Sequence, residues 1–168
     1  LFSVLPATSD TFATVTNLKF VLNNQAVPVL VALAVTVPLI CNEFDLSVGS
    51  MAALIAGAVI MLMNALAGSG LPVLAIVALG MGFAVLLGAL FGLAHGLLIT
   101  RGRIEPFIVT LGTLGIYRAY LTYFSNGGAL TLDNTLADAY GPVYYASLLG
   151  VPVPVWVLLL VAVAGGLI

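Results

Sequence analysis

The chain has 168 residues, of which 62% are hydrophobic and only 6% charged, with a formal net charge of −2. Soluble domains run near about 45–50% apolar and about 25% charged residues, so this composition excludes an ordinary water-soluble domain and implies an integral membrane protein. So small a charge gives no basis for nucleic acid or a strongly charged partner. A single cysteine, Cys41, excludes an internal disulfide and a multi-thiolate metal site, and a single histidine, His95, argues against a His-based centre. No cofactor is expected.

Apolar residues come in continuous runs without period-two alternation, which predicts helices and not a β-barrel. The expected fold is all-α, a polytopic membrane protein with about five visible helices of about 20 apolar residues each. Leu1 to Gln25 reads as a polar or interfacial stretch with room for a short amphipathic helix, rich in threonine and asparagine and carrying Asp10 and Lys19. Leu1-Phe2 reads as the tail of an earlier helix. The first clear crossing is Ala26 to Cys41, with Pro28 and Pro38 near its ends, where proline does least harm.

Glu43-Phe44-Asp45-Leu46-Ser47-Val48-Gly49-Ser50 then interrupts the apolar pattern. Asp45 and Ser47 are expected to accept hydrogen bonds from the first amides of the following helix, and Glu43 and Asp45 suit the positive end of its dipole. On residue chemistry alone this is a capped helix start. The second helix is expected from about Leu46 to Leu66, closed by the tight turn Ala67-Gly68-Ser69-Gly70. Leu71-Pro72 opens the third, which runs to Thr100. At about 45 Å it exceeds a hydrocarbon core of about 30 Å, so it should tilt, protrude or break near Gly80-Met81-Gly82. Gly88, Gly92 and Gly96 form a smooth groove suited to close approach of another helix. A fourth helix is expected from Pro106 to Phe124, containing Arg118. Ser125 to Gly150 is a polar segment with tyrosines suited to a membrane boundary. Val151-Pro152-Val153-Pro154 opens a fifth helix.

Basic loops stay in the cytoplasm. Arg101 and Arg103 therefore place the 67–70 turn and the 125–150 segment outside, and Glu43 and Asp45 on the inner side. The only lysine, Lys19, precedes Phe20, so no P-loop is present, and no Gly-x-Ser-x-Gly elbow accompanies His95. Catalysis is not expected.

Two blocks carry a family resemblance. Asp45-Leu46-Ser47-Val48-Gly49-Ser50 resembles the signature of permease subunits of bacterial ABC importers for monosaccharides of the ribose, xylose and galactose type. Gly96-Leu97-Leu98-Ile99-Thr100-Arg101 and Ile104-Glu105-Pro106-Phe107-Ile108-Val109-Thr110-Leu111-Gly112-Thr113 are similar to a second block of the same family, at the expected distance. Asn42, Glu43 and Phe44 stand where the family usually has two glycines and an isoleucine, and His95 where an asparagine is common. The resemblance implies a multi-pass protein of the bacterial inner membrane, embedded in membrane lipid, that moves a monosaccharide by alternating access. It implies three kinds of protein partner: cytoplasmic ATP-binding subunits that hydrolyse ATP, a periplasmic sugar-binding protein and a second, identical or different permease subunit, with the 125–150 segment facing the binding protein. It also implies that residues 1–168 are the N-terminal portion of a single transmembrane permease domain, truncated at both ends. A branched-chain amino-acid permease of the same class and a non-transporting helical scaffold are the alternatives.

A sugar path needs hydroxyls for the substrate's own hydroxyls and flat rings for its C–H faces. Thr110, Thr113, Tyr117 and Tyr120 recur at steps of three and four and so share one face of the fourth helix. Arg118 lies about 100° around from Tyr117 and about 18 Å along the helix from Pro106. A charge at that depth needs water or a partner. These five residues are the expected substrate path, with Asp45, Ser47 and Gly49 as a helix hinge.

Overall fold

The computed structural model describes residue 12 and residues 14–166. Six helices follow in chain order: α1 (Val15–Ile40), α2 (Val48–Leu66), α3 (Val73–Thr100), α4 (Pro106–Phe124), α5 (Asn134–Tyr144) and α6 (Val153–Gly166). A two-stranded hairpin, β1 (Ser147–Leu148) and β2 (Val151–Pro152), precedes α6. The chain divides into two compact units, Ala34–Tyr140 and the two ends, Leu1–Leu33 with Gly141–Ile168. The expected helix tail at Leu1-Phe2 lies outside the described residues.

α1 starts eleven residues before the expected Ala26 and runs through Asn23, Asn24 and Pro28. The local reason is a side-chain cap, since the Asn17 amide donates to Thr14 Oγ1 at 3.1 Å. Pro28 removes one ladder hydrogen bond but does not end the helix. At the far end, Asn42 adopts a left-handed φ of 59°. The Glu43 amide then reaches the Pro38 carbonyl at 2.9 Å, and the Asn42 amide reaches Leu39 at 3.0 Å. This is the closure that glycine usually provides, and asparagine is the side chain that tolerates it best. The same device ends α4, where Asn126 has φ 49° and the Gly127 amide bonds the Thr122 carbonyl at 2.9 Å.

Within the central unit, α2 packs against both α3 and α4. Two glycines make those contacts close, Gly57 and Gly80, the latter expected only as a point where α3 would break. A Cβ on Gly57 would lie 2.7 Å from Leu121 Cδ1, and one on Gly80 would lie 3.1 Å from the Met63 side chain. α3 is continuous through Gly80-Met81-Gly82. Its 28 residues span about 42 Å, so the expected break is absent and the excess length calls for tilt or protrusion. Gly102 follows because its Cα faces the Leu98 carbonyl, which a Cβ would meet at 2.4 Å. By length and composition, α1, α2 and α3 are each able to cross a membrane. α4, with 19 residues, covers about 28 Å.

The segment after α4 is more ordered than its polarity suggested. Asn64, near the end of α2, donates to the Thr131 carbonyl at 2.9 Å and accepts the Asp133 amide at 2.8 Å. Leu136 is buried with Met63 and Ile76, flanked by Val59, Val77 and Leu132. Asp133 caps α5, accepting the Thr135 amide at 2.9 Å and the Thr135 hydroxyl. These bonds hold its carboxyl below the usual carboxylate range, the hydroxyl's contribution being the largest. The expected start of the last helix at Val151 is corrected, since Val151 and Pro152 pair with Leu148 and Ser147 instead. Leu149 and Gly150 both have positive φ, at 54° and 83°, as a tight hairpin turn requires.

Candidate functional site

The polar break before α2 is organised by its own side chains. Asp45 Oδ1 accepts both the amide and the hydroxyl of Ser47, each at 2.7 Å. That is an Asx turn, a local substitute for helix hydrogen bonding. It corrects the expected capping pattern. Ser47 makes no side-chain cap, because its hydroxyl donates to Asp45, and Asp45 serves the amide of the residue before the helix. Ser47 is fully buried, and its carbonyl accepts the Met51 amide at 2.8 Å and the Ser50 hydroxyl at 2.9 Å.

Thr110 ties this break to α4. Its hydroxyl lies 3.3 Å from the Phe44 carbonyl and equally far from the Phe107 carbonyl. Thr110 is four residues past Pro106, about 6 Å along the helix. The polar break therefore sits level with the second turn of α4, with Ser47 and Val48 buried and Phe44 exposed.

The expected stripe on α4 divides. Thr110 and Tyr117, about 20° apart around the helix at about 100° per residue, face inward and are 2% and 6% exposed. Thr113, about 60° from Thr110, is half-buried and donates to the Val109 carbonyl at 2.9 Å. Tyr120, about 80° from Thr110, is 54% exposed and stacks on Phe124 with ring centroids 6.0 Å apart. Tyr117 makes a hydrogen bond of 3.1 Å with His95 Nε2 and packs its ring 4.9 Å from that of Phe91. His95, absent from the expected path, is thus the partner of one of its members. The signal for it was a lone imidazole in an apolar helix, which needs a neighbour's hydrogen bond.

Arg118 points elsewhere. With Gly49, Ser50 and Leu46 from the start of α2, and Leu114 and Leu121 of α4, it lines a cavity of about 360 Å³. Among the described residues no carboxylate pairs with it. Gly49, expected as part of the hinge, has open space where a Cβ would project. The Gly88, Gly92 and Gly96 groove is not filled by any described helix. Gly88 approaches only Ile55, at 4.0 Å, and nothing lies within 4 Å of a Cβ on Gly92 or Gly96.

Comparison with known proteins bears on the whole arrangement. The family described as branched-chain amino acid transport system / permease component matches residues 17–168. The chain belongs to this permease family. The ribose import permease protein RbsC of Escherichia coli (strain K12) is 33% identical over 165 residues, covering 98% of this chain and 49% of that protein. RbsC of Haemophilus influenzae is 28% identical over 96% of the chain and 48% of its own length. The autoinducer 2 import system permease protein LsrC of Enterobacter sp. (strain 638) is 35% identical over 76% of the chain and 35% of its own length. This permease chain therefore spans about half the length of the ribose permeases it matches. No solved structure matches it. Family and apolar helices together make it a multi-pass protein of the inner membrane.

Proposed function

We propose that this chain is part of the membrane-spanning subunit of an ATP-binding cassette importer that carries a monosaccharide inward by alternating access. The observation that carries the reading is 33% identity to a ribose import permease across 98% of the chain. The family description names branched-chain amino acids, but the similar proteins named above are ribose and autoinducer 2 permeases, which favours a sugar-like substrate. ATP hydrolysis belongs to separate cytoplasmic subunits, a periplasmic sugar-binding protein delivers the cargo, and a second permease subunit completes the path. In this reading Thr110, Tyr117 and His95 hold α4 against the break and α3, while Arg118 faces the polar route. Asp45, Ser47 and Gly49 form the hinge around which α2 can shift.

The test is uptake by the full-length permease assembled with its ATP-binding and binding-protein partners in liposomes. ATP-dependent accumulation of labelled D-ribose, D-xylose or D-galactose is expected, and accumulation of leucine with none of the sugars would replace this reading by the amino-acid one. Absence of any ATP-dependent uptake would leave a scaffold.

A further inference from the structure

We propose that the Arg118 cavity is a subsite for a neutral polyhydroxylated ligand, held through adjacent hydroxyls; this rests on the sugar-import reading and names where the sugar is held. The cavity, about 360 Å³, joins the first turn of α2 to the middle of α4. The polar side chains among its lining residues are Arg118 and Ser50, which have different jobs. Arg118 supplies donors only. Ser50 has already spent its own proton on the Ser47 carbonyl, at 2.9 Å, so towards the cavity it offers acceptor lone pairs.

That pairing selects the ligand class. A sugar hydroxyl is both donor and acceptor, so neighbouring hydroxyls can satisfy Arg118 and Ser50 together. A carboxylate or phosphate oxygen only accepts, and would set its charge against the Ser50 lone pairs. The apolar walls at Leu46, Leu114 and Leu121 suit the C–H faces of the same molecule. Thr110 and Tyr117 are buried, with their hydroxyls against the Phe44 carbonyl and His95, so neither is open to a ligand. Gly49 lines the same cavity, and a Cβ there would meet no atom within 4 Å.

The experiment places a single cysteine at that point, Gly49→Cys, in the full-length permease with the exposed Cys41 replaced by serine. Maleimide labelling is timed with no addition, with D-ribose, D-xylose or D-galactose, with D-ribonate, and with leucine, each at 50 mM or about that level. At least one sugar is expected to slow labelling about fivefold or more, with leucine inert and the sugar acid no better than its parent sugar. Adding Arg118→Leu should abolish the protection, and Arg118→Lys should keep part of it. No protection by any of the three sugars overturns the proposal, and so does stronger protection by D-ribonate than by D-ribose, which would mark an anion site. Uptake by the assembled importer separates the two levels. Uptake without protection defeats the cavity assignment alone, whereas protection without uptake defeats the import reading alone.

Discussion

The Tyr117 hydroxyl and His95 Nε2 share one hydrogen bond of 3.1 Å across α3 and α4, in a site where both residues are more than nine-tenths buried. It is the polar contact between two helices that otherwise touch less than either touches α2. Hydrogen bonds between membrane helices are worth about 0.6 kcal/mol on average and about 1.7 kcal/mol at most. Tyr117→Phe should therefore lower stability in detergent by about 0.5–2 kcal/mol, and Tyr117→Leu by more, because the Phe91 ring contact goes too. His95→Leu and Tyr117→Phe combined should cost less than their sum. Strict additivity in thermal unfolding would mean that the two side chains do not meet.

Gly57 and Gly92 should respond in opposite ways. A methyl on Gly57 would push aside the terminal methyls of Leu121 and Leu130, at 2.7 and 3.1 Å, and overpacking of this kind costs up to about 1–3 kcal/mol. Gly57→Ala is expected to lower the unfolding temperature of the permease in detergent. Gly92→Ala meets nothing within 4 Å and should raise stability by up to about 1 kcal/mol, since alanine loses less backbone freedom in a helix interior. Gly92→Leu in the assembled importer is the informative variant. Loss of assembly with unchanged stability of the isolated subunit is expected if the groove receives another helix.

Membrane sidedness follows from the ends of α3 and α4. Arg101 and Arg103 follow α3, while Asn64 holds Thr131 and Asp133 beside the end of α2, where α3 begins. Cysteines at Arg103 and at Asp133, in a Cys41-free background, should label from opposite sides of the membrane, with Arg103→Cys shielded from an impermeant thiol reagent in intact cells. Equal labelling of both would contradict this arrangement.

Asp133 gives the outer segment a pH signature. Its carboxyl titrates below the usual range because Thr135 bonds the ionised form. The contribution to the α5 cap is thus complete above the ordinary aspartate pKa of about 3.9 and is lost as the pH falls through the lower folded value. Amide exchange in α5 should show no cap-related change between about pH 5 and pH 8. Asp133→Ala should raise exchange across its first turn throughout that range, and Asn64→Ala should loosen residues 131–133 as well. Charge reversal at Asp133 and Asp138 should slow uptake at limiting binding protein if α5 belongs to the docking surface.

The helix ends were legible where punctuation was strong. Pro106 opens α4 and the Gly68–Gly70 turn separates α2 from α3, because proline and glycine restrict the backbone whatever surrounds them. α1 was misjudged because its early polar residues suggested an interface, whereas a Thr14 cap is enough to start the helix before them. α5 was missed because its stability comes from a distant residue. Asn64 bonds to Asp133 across 69 positions, which no local pattern contains. The site was legible in part for a similar reason. Spacing put Thr110 and Tyr117 on one face, but it could not say that this face turns toward Phe44 and His95, leaving Arg118 in a separate cavity.

The break before α2 also has a consequence during synthesis. The Phe44 carbonyl finds its partner in Thr110, which the ribosome adds 66 residues later. At about 5–20 residues per second, the segment waits about 3–13 s in the translocon before α4 exists. For that interval its polar groups depend on contacts made within the segment. The Asp45–Ser47 turn spans two residues and closes at once, so it can shelter the nascent loop until the later helix arrives. Asp45→Ala should accordingly impair membrane integration and raise degradation of new chains more than it destabilises permease that has already matured.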